Sequence, residues 1–548
     1  MKWWQKTIVY ELYPKSFLDT KGQGTGTIAG IIQKLDYLAE LGVGAVWMTP
    51  VCKSPMVDNG YDIADYTSVD PSYGTMEEMK ELFKEAGKRN IKIVIDLVFN
   101  HSSDQNPWFL ESKKSKDNPK SDWYIWRDAK EDGSEPTNWR GIFGGSAWTW
   151  CEERQQYYLH TFAYQQPDLN WANPEVRRAL YDAANFWVDL GAGGFRVDAI
   201  TYIKKPEEFK DGTPDGDDGM VSVHDMTANQ PGILDYLHEF KREVSEGHDI
   251  FTVAEANGVS ADELKYWVGK DGAFDMLFEF SHINLEFKGV ETWCKPDPWT
   301  ICDLKRALRN SQNATKENGW YPSFFENHDK PRCVNHFFSE KADKKLAAKA
   351  MGTLLMTLRG TPFLFQGQEL GLENIAWPSI DCYNDISSHG QYAFALSEGL
   401  SEEEALACVH EFSRDSARTP MQWNAEENAG FTTGKPWLPV HDDYETVNVE
   451  AQEKDEDSVL NWFRKLAQIR KEYPVLETGD FEEILVNDPD IIGYVRKDGD
   501  DSLCILINLS DAHALFTAEE ADERELILSN YPVYEKGSLA ALQCVILK

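Results

Sequence analysis

Several features that would narrow the function of this chain are scarce in its sequence or missing from it. The nine cysteines among the 548 residues are scattered and odd in number, and no CxxC pair occurs. They indicate neither a zinc site nor a disulfide framework, and they favour reduced thiols. No apolar stretch approaches eighteen residues, and the start of the chain lacks a long apolar core and a small-residue cleavage site. We therefore expect no signal peptide, no membrane span and a cytoplasmic protein.

Positive charge is also in short supply. The chain has 55 Lys and Arg against 92 Asp and Glu, which gives a formal charge of −37. Such a surface repels nucleic acid and anionic membranes, so we expect neither as a partner. It weakly disfavours anionic substrates as well, unless a local basic pocket overrides the global field. Aromatic residues are plentiful instead, with 19 Trp. Aromatic faces stack on sugar rings, although most Trp side chains in a large protein simply pack in its core.

Apolar strand-like runs alternate with amphipathic helix-like segments through most of the chain. The segments GIIQKLDYLAELG and TMEEMKELFKEAGKRN, for example, have helical apolar spacing and a Gly or Asn near the end. This alternation predicts an α/β fold, a (β/α)8 TIM barrel. The eight predicted strands are residues 8–12, 45–48, 91–97, 194–197, 250–254, 274–278, 321–325 and 363–366.

Three regions depart from this alternation. Residues 101–173 are rich in Trp, Asp, Asn, Gly and Lys and are too long for a loop, so we expect a small domain inserted after the third strand. An irregular subdomain of the barrel is expected at about 372–450. Short alternating runs near the end predict a C-terminal antiparallel β-sandwich. The expected boundaries are 1–100 and 174–474 for the barrel, 101–173 for the insertion and 475–548 for the β-domain.

Three acidic residues follow predicted strands. Asp198 and Glu255 each close an apolar run, in GFRVDAI and FTVAEANG, and Asp329 follows the strand end in FFENHDKPR. Because enzymes with this barrel build their active sites at the C-terminal ends of the strands, we expect the three acids in one pocket. Converging carboxylates split in pKa, which supplies one proton donor and one anionic nucleophile. The chemistry that this favours is cleavage of a glycosidic bond.

The neighbours of these acids indicate different tasks for them. Arg196 lies two residues from Asp198 on a strand, so both side chains point the same way. The positive charge of Arg196 is expected to lower the pKa of Asp198 and to keep it ionised, as a nucleophile must be. The apolar run before Glu255 is expected to raise the pKa of a general acid. A structural Arg–Asp ion pair and a structural hydrogen-bonding glutamate are the alternatives.

Two further segments follow predicted strands. DLVFNH ends in Asn100 and His101, which suit hydrogen bonds to sugar hydroxyls. A zinc role for His101 lacks a partner at ligand spacing, and a structural histidine is the alternative. DNGYDIADY places Asp58 and Tyr61 in a loop, where a scaffold role is the alternative. Because five segments after different strands all carry residues suited to sugar chemistry, a purely structural explanation of every one is hard to sustain.

The motifs resemble those of a known family. DLVFNH, GFRVDAI, TVAEANG and FFENHDKPR are similar, in order and spacing, to the four signature regions of the α-amylase family of glycoside hydrolases, glycoside hydrolase family 13. QPDLN, YPKSF, DNGYDIADY and SRDSARTPMQW resemble its oligo-1,6-glucosidase branch, which includes α-glucosidases. The resemblance covers essentially the whole chain.

This resemblance implies a role for each matching residue. Asp198 would be the nucleophile, Glu255 the general acid/base and Asp329 the transition-state stabiliser. A pocket closed behind the terminal non-reducing sugar implies an exo-acting enzyme. The residues implied to contact that sugar are Arg196, His101 and His328, the aromatic walls Tyr61, Phe143 and Phe162, and, on its far hydroxyls, Asp58 and Arg414.

The chain departs from the family pattern in the loop after the first strand, where relatives often hold calcium. DTKGQGTGT keeps Asp19 but has Lys21, Gln23 and Thr27 at the expected ligand positions. Calcium needs oxygen ligands and an ammonium group repels it, so we expect no metal there, with Lys21 supplying the positive charge. We expect no cofactor elsewhere.

Other departures concern specificity. Ala199 follows the implied nucleophile where strict α-1,6 cleavers tend to carry Val, and a smaller residue there favours tolerance of α-1,4 linkages. EANG after the implied acid/base is not the commonest form. FEFSHINLEF lacks the Arg- and Asp-rich loop associated with sucrose isomerases.

The implied function is that of a retaining exo-α-glucosidase acting on short α-glucosides such as isomaltose, maltose, panose or sucrose. A trehalose-6-phosphate hydrolase of the same fold is the alternative. It would need basic residues at the pocket rim, for which Lys15, Lys330 and Arg332 are the candidates. A non-catalytic binding subunit is disfavoured, because such relatives lose the carboxylates. We expect a small oligosaccharide as the partner, and a monomer or weak homo-oligomer.

Overall fold

The computed structural model describes residues 1–216, 218–260, 262–287, 291–317 and 319–548. Eight parallel strands form a nearly closed barrel, which confirms the predicted (β/α)8 fold. Each predicted strand is found to within two residues at either end. The barrel strands are β1 (Val9–Leu12), β2 (Ala45–Met48), β3 (Lys92–Val98), β4 (Gly194–Asp198), β5 (Phe251–Glu255), β6 (Met276–Phe278), β7 (Pro322–Ser323) and β8 (Thr361–Phe365).

The chain divides into two compact units. The first unit comprises Met1–Val46, Glu85–Ile91 and Phe280–Lys548, and the second unit comprises Trp47–Lys84 and Lys92–Glu279. In the second unit β4 pairs in parallel with both β3 and β5, and β5 pairs with β6. In the first unit β8 pairs in parallel with β1 and β7. β4 and β8 are buried along their whole length. The sequence of β8 is a nearly continuous apolar run, as expected for a buried parallel strand, whereas β4 also carries Arg196 and Asp198.

The helices begin and end at residues that suit helix termini. The longest follows Asn173, whose side chain accepts a hydrogen bond from the Glu175 N–H, and ends at Gly191 in a left-handed conformation. The described α-helices are α1 (Ile28–Gln33), α2 (Leu35–Glu40), α3 (Met76–Lys88), α4 (Pro107–Ser112), α5 (Pro174–Leu190), α6 (Val223–Thr227), α7 (Ile233–Phe240), α8 (Leu264–Trp267), α9 (Ile301–Ala314), α10 (Cys333–His336), α11 (Lys344–Thr357), α12 (Ile386–Ser397), α13 (Glu402–Phe412), α14 (Asp415–Arg418), α15 (Val449–Lys454), α16 (Val459–Glu472) and α17 (Val475–Thr478). Within the described part of the chain, none of the helices combines the length and hydrophobicity needed to span a bilayer.

The predicted insertion contains its own small sheets. Trp126–Arg127, Gln156–Leu159 and Trp148–Cys151 form a three-stranded antiparallel sheet, with Gln156–Leu159 in the middle. Trp139–Arg140 pairs in parallel with Val221–Ser222, a segment that sequence reasoning placed in the barrel. The boundary at residue 173 therefore stays a prediction, as do the other domain limits.

The C-terminal region is an antiparallel β-sandwich, as predicted. A five-stranded sheet has the order Asp480–Ile484, Ile491–Asp498, Asp501–Asn508, Cys544–Leu547 and Leu526–Ser529, and in a two-stranded sheet Ala514–Leu515 pairs with Ser538–Leu539. Ile491, Leu506 and Val545 of the larger sheet share one buried core with Ala514 and Leu539 of the smaller one. The strands are β9 (Asp480–Ile484), β10 (Ile491–Asp498), β11 (Asp501–Asn508), β12 (Ala514–Leu515), β13 (Leu526–Ser529), β14 (Ser538–Leu539) and β15 (Cys544–Leu547).

Candidate active site

Two of the predicted catalytic acids come from the ends of neighbouring strands in the second unit. Asp198 is the last residue of β4 and Glu255 is the last residue of β5. The parallel register pairs Val197 with Ala254, so the next residue on each strand emerges at the same edge of the sheet. This edge is the C-terminal one, where barrel enzymes carry their chemistry.

A single guanidinium group connects these acids. Arg196 Nη1 donates to Asp198 Oδ1 at 2.6 Å, and Nη2 donates to Glu255 Oε2 at 2.5 Å. Nη1 also lies 2.9 and 3.1 Å from the two oxygens of Asp96. The Arg196 side chain is only 3% exposed. The pairing of Arg196 with Asp198 that their spacing predicts is therefore present, and it extends to two further carboxylates.

The charges in this cluster do not balance. Three carboxylates around one guanidinium leave an excess of two negative charges when all are ionised. Burial raises the pKa of Asp198 well above its ordinary value; Arg196 opposes this shift, and the charges of Glu255 and Asp96 add to it. Burial likewise raises the pKa of Asp96 to about 6 against the pull of Arg196. Arg196 does lower the pKa of Asp198, as expected, but burial outweighs it, and the cluster favours retention of one proton.

Asp96 holds Arg196 in place together with two aromatic residues. Tyr61 Oη and Trp47 Nε1 donate to Asp96 Oδ2 at 3.1 and 3.2 Å. The rings of Tyr61 and Trp47 lie 5.7 and 5.2 Å from the guanidinium carbon of Arg196, within the range of cation–π attraction. Sequence reasoning assigned no role to Asp96, although the residue stands in the DLVFNH motif.

The other predicted sugar-binding residues of the second unit are linked to one another by contacts. The imidazole Nε2 of His101 lies 3.1 Å from the Tyr61 carbonyl oxygen, and its ring centre lies 5.1 Å from that of Phe162. Phe162 in turn lies 5.7 Å from Phe143. Gln166 donates to Asp58 Oδ2 at 3.1 Å and approaches His101 Nε2 at 3.2 Å. Gln166 stands in the QPDLN motif, and sequence reasoning did not place it in the site.

His101 has a perturbed titration. Burial lowers the pKa of its imidazole to about 4, with Asp168 and the Tyr61 carbonyl opposing the shift. The ring is therefore neutral at pH 7, and its Nδ1 lies 3.2 Å from the Asn100 amide. A neutral imidazole suits a hydrogen bond to an uncharged hydroxyl group better than an ion pair.

The third predicted acid lies in the first unit. Asp329 Oδ1 accepts hydrogen bonds from Arg418 Nη2 at 2.6 Å and from Arg414 Nη1 at 3.2 Å. His328 Nε2 lies 3.4 Å from Asp329 Oδ2, and its Nδ1 lies 2.7 Å from Glu11 Oε1. The Asp329 side chain is 32% exposed although two guanidinium groups hold it. Its charge is thus stabilised while one face stays open to solvent.

Arg414 is itself fixed by a buried carboxylate. Its Nε and Nη2 donate to Asp385 Oδ1 at 2.9 and 2.6 Å, and Asp385 caps α12 through the N–H groups of Ser387 and Ser388. Sequence reasoning missed Asp385 and Arg418. A signal for Arg418 exists, because it stands four residues after Arg414 in SRDSARTP, the spacing that places two side chains on one helix face.

The loop at Asp19 satisfies its carboxylate with hydrogen bonds. The two oxygens accept from the N–H groups of Lys21, Gly22 and Gly24 at 2.8, 3.0 and 2.7 Å, and from Thr432 Oγ1 at 2.6 Å. A cation bound at Asp19 would need oxygen ligands around it. The groups next to this carboxylate are instead donors that point their hydrogens at it. Among the described residues no group of three or more His, Cys, Asp or Glu side chains is arranged to hold a metal.

One candidate for phosphate recognition is wrong. Arg332 is fully buried and donates to Glu326 and to the Gln366 carbonyl at 3.0 and 2.7 Å, so it has a structural role and does not reach a pocket rim. Lys330 pairs with Glu291 at 3.1 Å. The Lys15 ammonium lies 3.8 Å from the ring centre of Trp437.

Comparison with known proteins gives consistent matches over nearly the whole chain. The family model for the α-amylase catalytic domain matches residues 11–479. An oligo-1,6-glucosidase of Parageobacillus thermoglucosidasius is 42% identical over 546 residues, 99% of this chain and 97% of that protein. A trehalose-6-phosphate hydrolase of Bacillus subtilis (strain 168) is 40% identical over 96% of this chain and 94% of that protein. The crystal structure of an isomaltulose synthase from Klebsiella sp. LX3 superposes with a TM-score of 0.95 at 36% identity, covering 100% of this chain and 99% of the other.

Proposed function

Since this chain belongs to the α-amylase family of glycoside hydrolases, we propose that it is a retaining, exo-acting α-glucosidase. Its substrates are short oligosaccharides with a terminal non-reducing α-glucosyl residue, such as isomaltose, maltose, panose and sucrose. The observation that carries this proposal is the Arg196 bridge between Asp198 and Glu255. The similarity to proteins named oligo-1,6-glucosidase supports the substrate class.

Each acid of this pair has one anchored oxygen and one available oxygen. Arg196 holds Asp198 at Oδ1, and no described residue hydrogen-bonds to Oδ2. Glu255 Oε2 accepts from Arg196 and from the Ala199 N–H, whereas Oε1 has only a 3.4 Å contact with the Asn257 amide. A carboxylate that is fixed by one oxygen and free at the other is oriented for attack or for proton transfer.

In the first step Asp198 Oδ2 attacks the anomeric carbon while Glu255 protonates the glycosidic oxygen, and the leaving sugar departs with that proton. The glucosyl unit then forms an ester with Asp198. In the second step Glu255, now ionised, takes a proton from water, and the water oxygen displaces Asp198 from the anomeric carbon. Two inversions give net retention.

The shared guanidinium also limits how far apart the two acids lie. The distance between the two terminal nitrogens of Arg196, added to the two hydrogen-bond lengths, sets an upper limit on the order of 7 Å between the bonded oxygens of Asp198 and Glu255. Retaining enzymes need about 5 Å between their carboxyl groups, and inverting enzymes need a wider gap that accommodates a water molecule. The bridge is compatible with the retaining mechanism and excludes the wider part of the range that inverting enzymes use.

The remaining predicted residues receive roles in the same proposal. Asp329, with its charge held by Arg414 and Arg418, stabilises the positive charge that develops on the sugar ring in the transition state. The residues assigned to binding the terminal glucosyl unit are Asp58, Tyr61, His101, Phe143, Phe162, Arg196, His328 and Arg414.

A trehalose-6-phosphate hydrolase is the second candidate, because relatives of that name are up to 40% identical to this chain. Against it, Arg332 is buried in a structural network. A kinetic panel of α-1,1-, α-1,2-, α-1,3-, α-1,4- and α-1,6-linked disaccharides, with trehalose 6-phosphate included, separates the two. We expect isomaltose and maltose to be hydrolysed with the highest kcat/KM. A higher value for trehalose 6-phosphate would overturn the proposal in favour of the second candidate.

A further inference from the structure

A cavity of about 410 Å³ opens inside the second unit, lined by none of the predicted catalytic residues. We call it the Arg127 cavity and define it by Trp126, Arg127, Arg154, Lys204, Phe209 and Tyr236. Its volume lies within the range of about 300–1,000 Å³ that is usual for small-molecule sites. Four basic residues line it, since Lys205 joins the three already named, against the two acids Asp122 and Glu207. For a chain with a formal charge of −37 this local excess of positive charge is unusual.

Arg127 has no carboxylate partner among the residues that the structure describes. Its Nη1 donates to the Trp126 carbonyl oxygen at 2.7 Å, and its guanidinium carbon lies 4.0 Å from the ring centre of Phe209. Burial lowers the pKa of this half-buried guanidinium, and no neighbouring acid opposes the shift. A desolvated cation without a counter-charge is costly, and an anion in the cavity would offset that cost.

Two more cations at this cavity lack an acidic partner in the described ranges. The Arg154 guanidinium, 7% exposed, stacks 4.5 Å from the Trp126 ring centre and donates to Gln156 and to the Ser112 carbonyl oxygen. The Lys204 ammonium lies 5.6 Å from the Tyr236 ring centre and has no ion pair. Lys205, in contrast, is neutralised by Asp168 at 2.6 Å.

The rest of the lining suits a sugar ring. Phe209 and Tyr236 are half-buried aromatic residues of the lining, and Arg127 and Lys204 lie 4.0 and 5.6 Å from their ring centres. The cavity also includes the amide side chains of Gln156 and Asn170. Aromatic faces pack against the apolar faces of pyranoses, and amides hydrogen-bond to hydroxyl groups. We propose that the Arg127 cavity binds a phosphorylated hexose, with the phosphate on Arg127 and Lys204 and the sugar against Phe209 and Tyr236. Arg154 is not assigned to the phosphate because its guanidinium already donates to Gln156 and to the Ser112 and Ser115 carbonyl oxygens. Arg127 and Lys204 lack acidic partners and are less occupied by hydrogen bonds, so they receive the phosphate.

Isothermal titration calorimetry of the full-length protein tests this site, with glucose 6-phosphate, inorganic phosphate and glucose as separate titrants. We expect glucose 6-phosphate to bind more tightly than either of the other two. Arg127→Gln and Lys204→Gln should each weaken its binding by roughly tenfold, because each removes a charge-assisted hydrogen bond. Arg140→Gln is the matched control: it removes an arginine of the same unit that is paired with Asp215 and Asp218. Its affinity for glucose 6-phosphate should stay at the wild-type value.

Three results would overturn the proposal. The first is equal affinity of wild type and Arg127→Gln for glucose 6-phosphate, which would place any binding elsewhere. The second is inorganic phosphate binding as tightly as the ester, which would remove the sugar from the proposal. The third is glucose binding as tightly as the ester and losing affinity in Arg127→Gln, which would place glucose in this cavity and remove the phosphate from the proposal. The thermal unfolding midpoint of each variant is measured alongside, and if Arg127→Gln is unfolded, Lys204→Gln decides.

Discussion

At the residue scale, Arg196 contacts both of the acids to which we assign the chemistry, Asp198 and Glu255. It fixes one oxygen of each acid and leaves the other oxygen available. It also offsets only part of the negative charge around it, because Asp96 shares the same guanidinium. Burial raises the pKa of Asp198 and of Asp96, and Arg196 opposes the rise at both carboxyl groups. A nucleophile must be ionised, so this opposition is what Arg196 contributes to the proposed role of Asp198. One buried cation thus positions both acids and favours the ionised form of Asp198.

Glu255→Gln removes the proton donor but keeps the size and the hydrogen bonds of the side chain. We expect a loss of roughly 10²–10⁴-fold in kcat/KM on isomaltose and maltose, whose leaving groups need protonation. Aryl glucosides with acidic phenols should retain most of their first-step rate, measured as the burst of released phenol.

Glu263→Gln serves as the control, since it changes a glutamate in the same segment that only caps a turn through Ser260. An equal loss on both kinds of substrate would refute the acid/base role of Glu255.

His101 gives a pH dependence with a defined sign. Burial lowers the pKa of His101 in the folded protein to about 4, from an ordinary value of 6.5. Between these pH values the unfolded chain binds a proton that the folded protein does not. Stability therefore falls as the pH decreases from 6.5 to 4, by about 1.4 kcal/mol for each pKa unit. In His101→Asn, the unfolding midpoint should depend less on pH across this window than in wild type.

The matched control is His248→Asn, which replaces an exposed histidine of the same unit. Its midpoint should follow the wild-type pH dependence. A wild-type slope that persists in His101→Asn would show that other groups cause it.

At the scale of the elements, the turn after β4 places a backbone donor beside Glu255 and contains Ala199, the residue that we connect with linkage preference. Ala199 follows the strand with φ of 44°, in the left-handed region, and its N–H donates to Glu255 Oε2 at 3.2 Å. This turn brings a backbone donor to the carboxylate of the neighbouring strand. Because Ala199 is buried, any larger side chain here must displace neighbours close to the acid/base.

Ala199→Val tests the link between this turn and linkage preference. We expect the ratio of kcat/KM for isomaltose to that for maltose to rise several-fold, because two added methyl groups narrow the space beside Glu255. A β-branched residue at positive φ also costs on the order of 1–3 kcal/mol, so the unfolding midpoint should fall.

Ala199→Gly is the control: it relieves the backbone strain and should leave the linkage ratio at or below the wild-type value. A ratio that is the same in all three proteins would show that this position does not influence linkage preference.

Helix α12 is linked through its cap residue Asp385 to Arg414, which we propose binds the substrate. Asp385→Ala removes the cap of α12 and also leaves the guanidinium of Arg414 without its buried partner. Loss of a cap costs about 1 kcal/mol. Arg414 keeps Asp329 as a partner but loses its hydrogen bonds to Asp385, and a hydrogen bond to a charged group contributes roughly 1.5–3 kcal/mol. We expect a large fall in the unfolding midpoint and a raised KM, because Arg414 no longer has a fixed position.

Ser401→Ala removes only the cap of α13 and is the matched comparison. Its midpoint should fall several times less than that of Asp385→Ala, and its KM should not change. Equal effects in the two variants would exclude a role for the Asp385–Arg414 pair in substrate binding.

At the scale of the whole molecule, local pattern and long-range pairing differ in how far they can be read from sequence. The buried runs of a parallel sheet are largely continuous and apolar, so all eight barrel strands and the acids that end β4 and β5 could be located in advance. Asp96, Gln166 and Arg418 were missed as site residues. Their partners Arg196, Asp58 and Asp329 lie 100, 108 and 89 residues away, and no periodicity encodes such pairs.

Burial is the other quantity that the sequence did not supply. The spacing of Arg196 and Asp198 predicts their ion pair but not how deeply the strand end is buried, and depth decides the direction of the Asp198 pKa shift. The same limitation applies to Arg332. Its motif suggests an available cation, whereas its full burial against Glu326 excludes that role. Net charge likewise gives no sign of a local basic cavity.

The most direct test of the assigned roles of Asp198 and Glu255 is azide rescue of two variants with an activated aryl glucoside, with the products analysed by ¹H NMR. In Asp198→Ala, azide should attack from the face that the nucleophile vacates and give β-glucosyl azide. In Glu255→Ala, azide should displace Asp198 from the glucosyl ester and give α-glucosyl azide. The same anomer from both variants, or the two anomers exchanged, would contradict the assignment of Asp198 as nucleophile and Glu255 as acid/base.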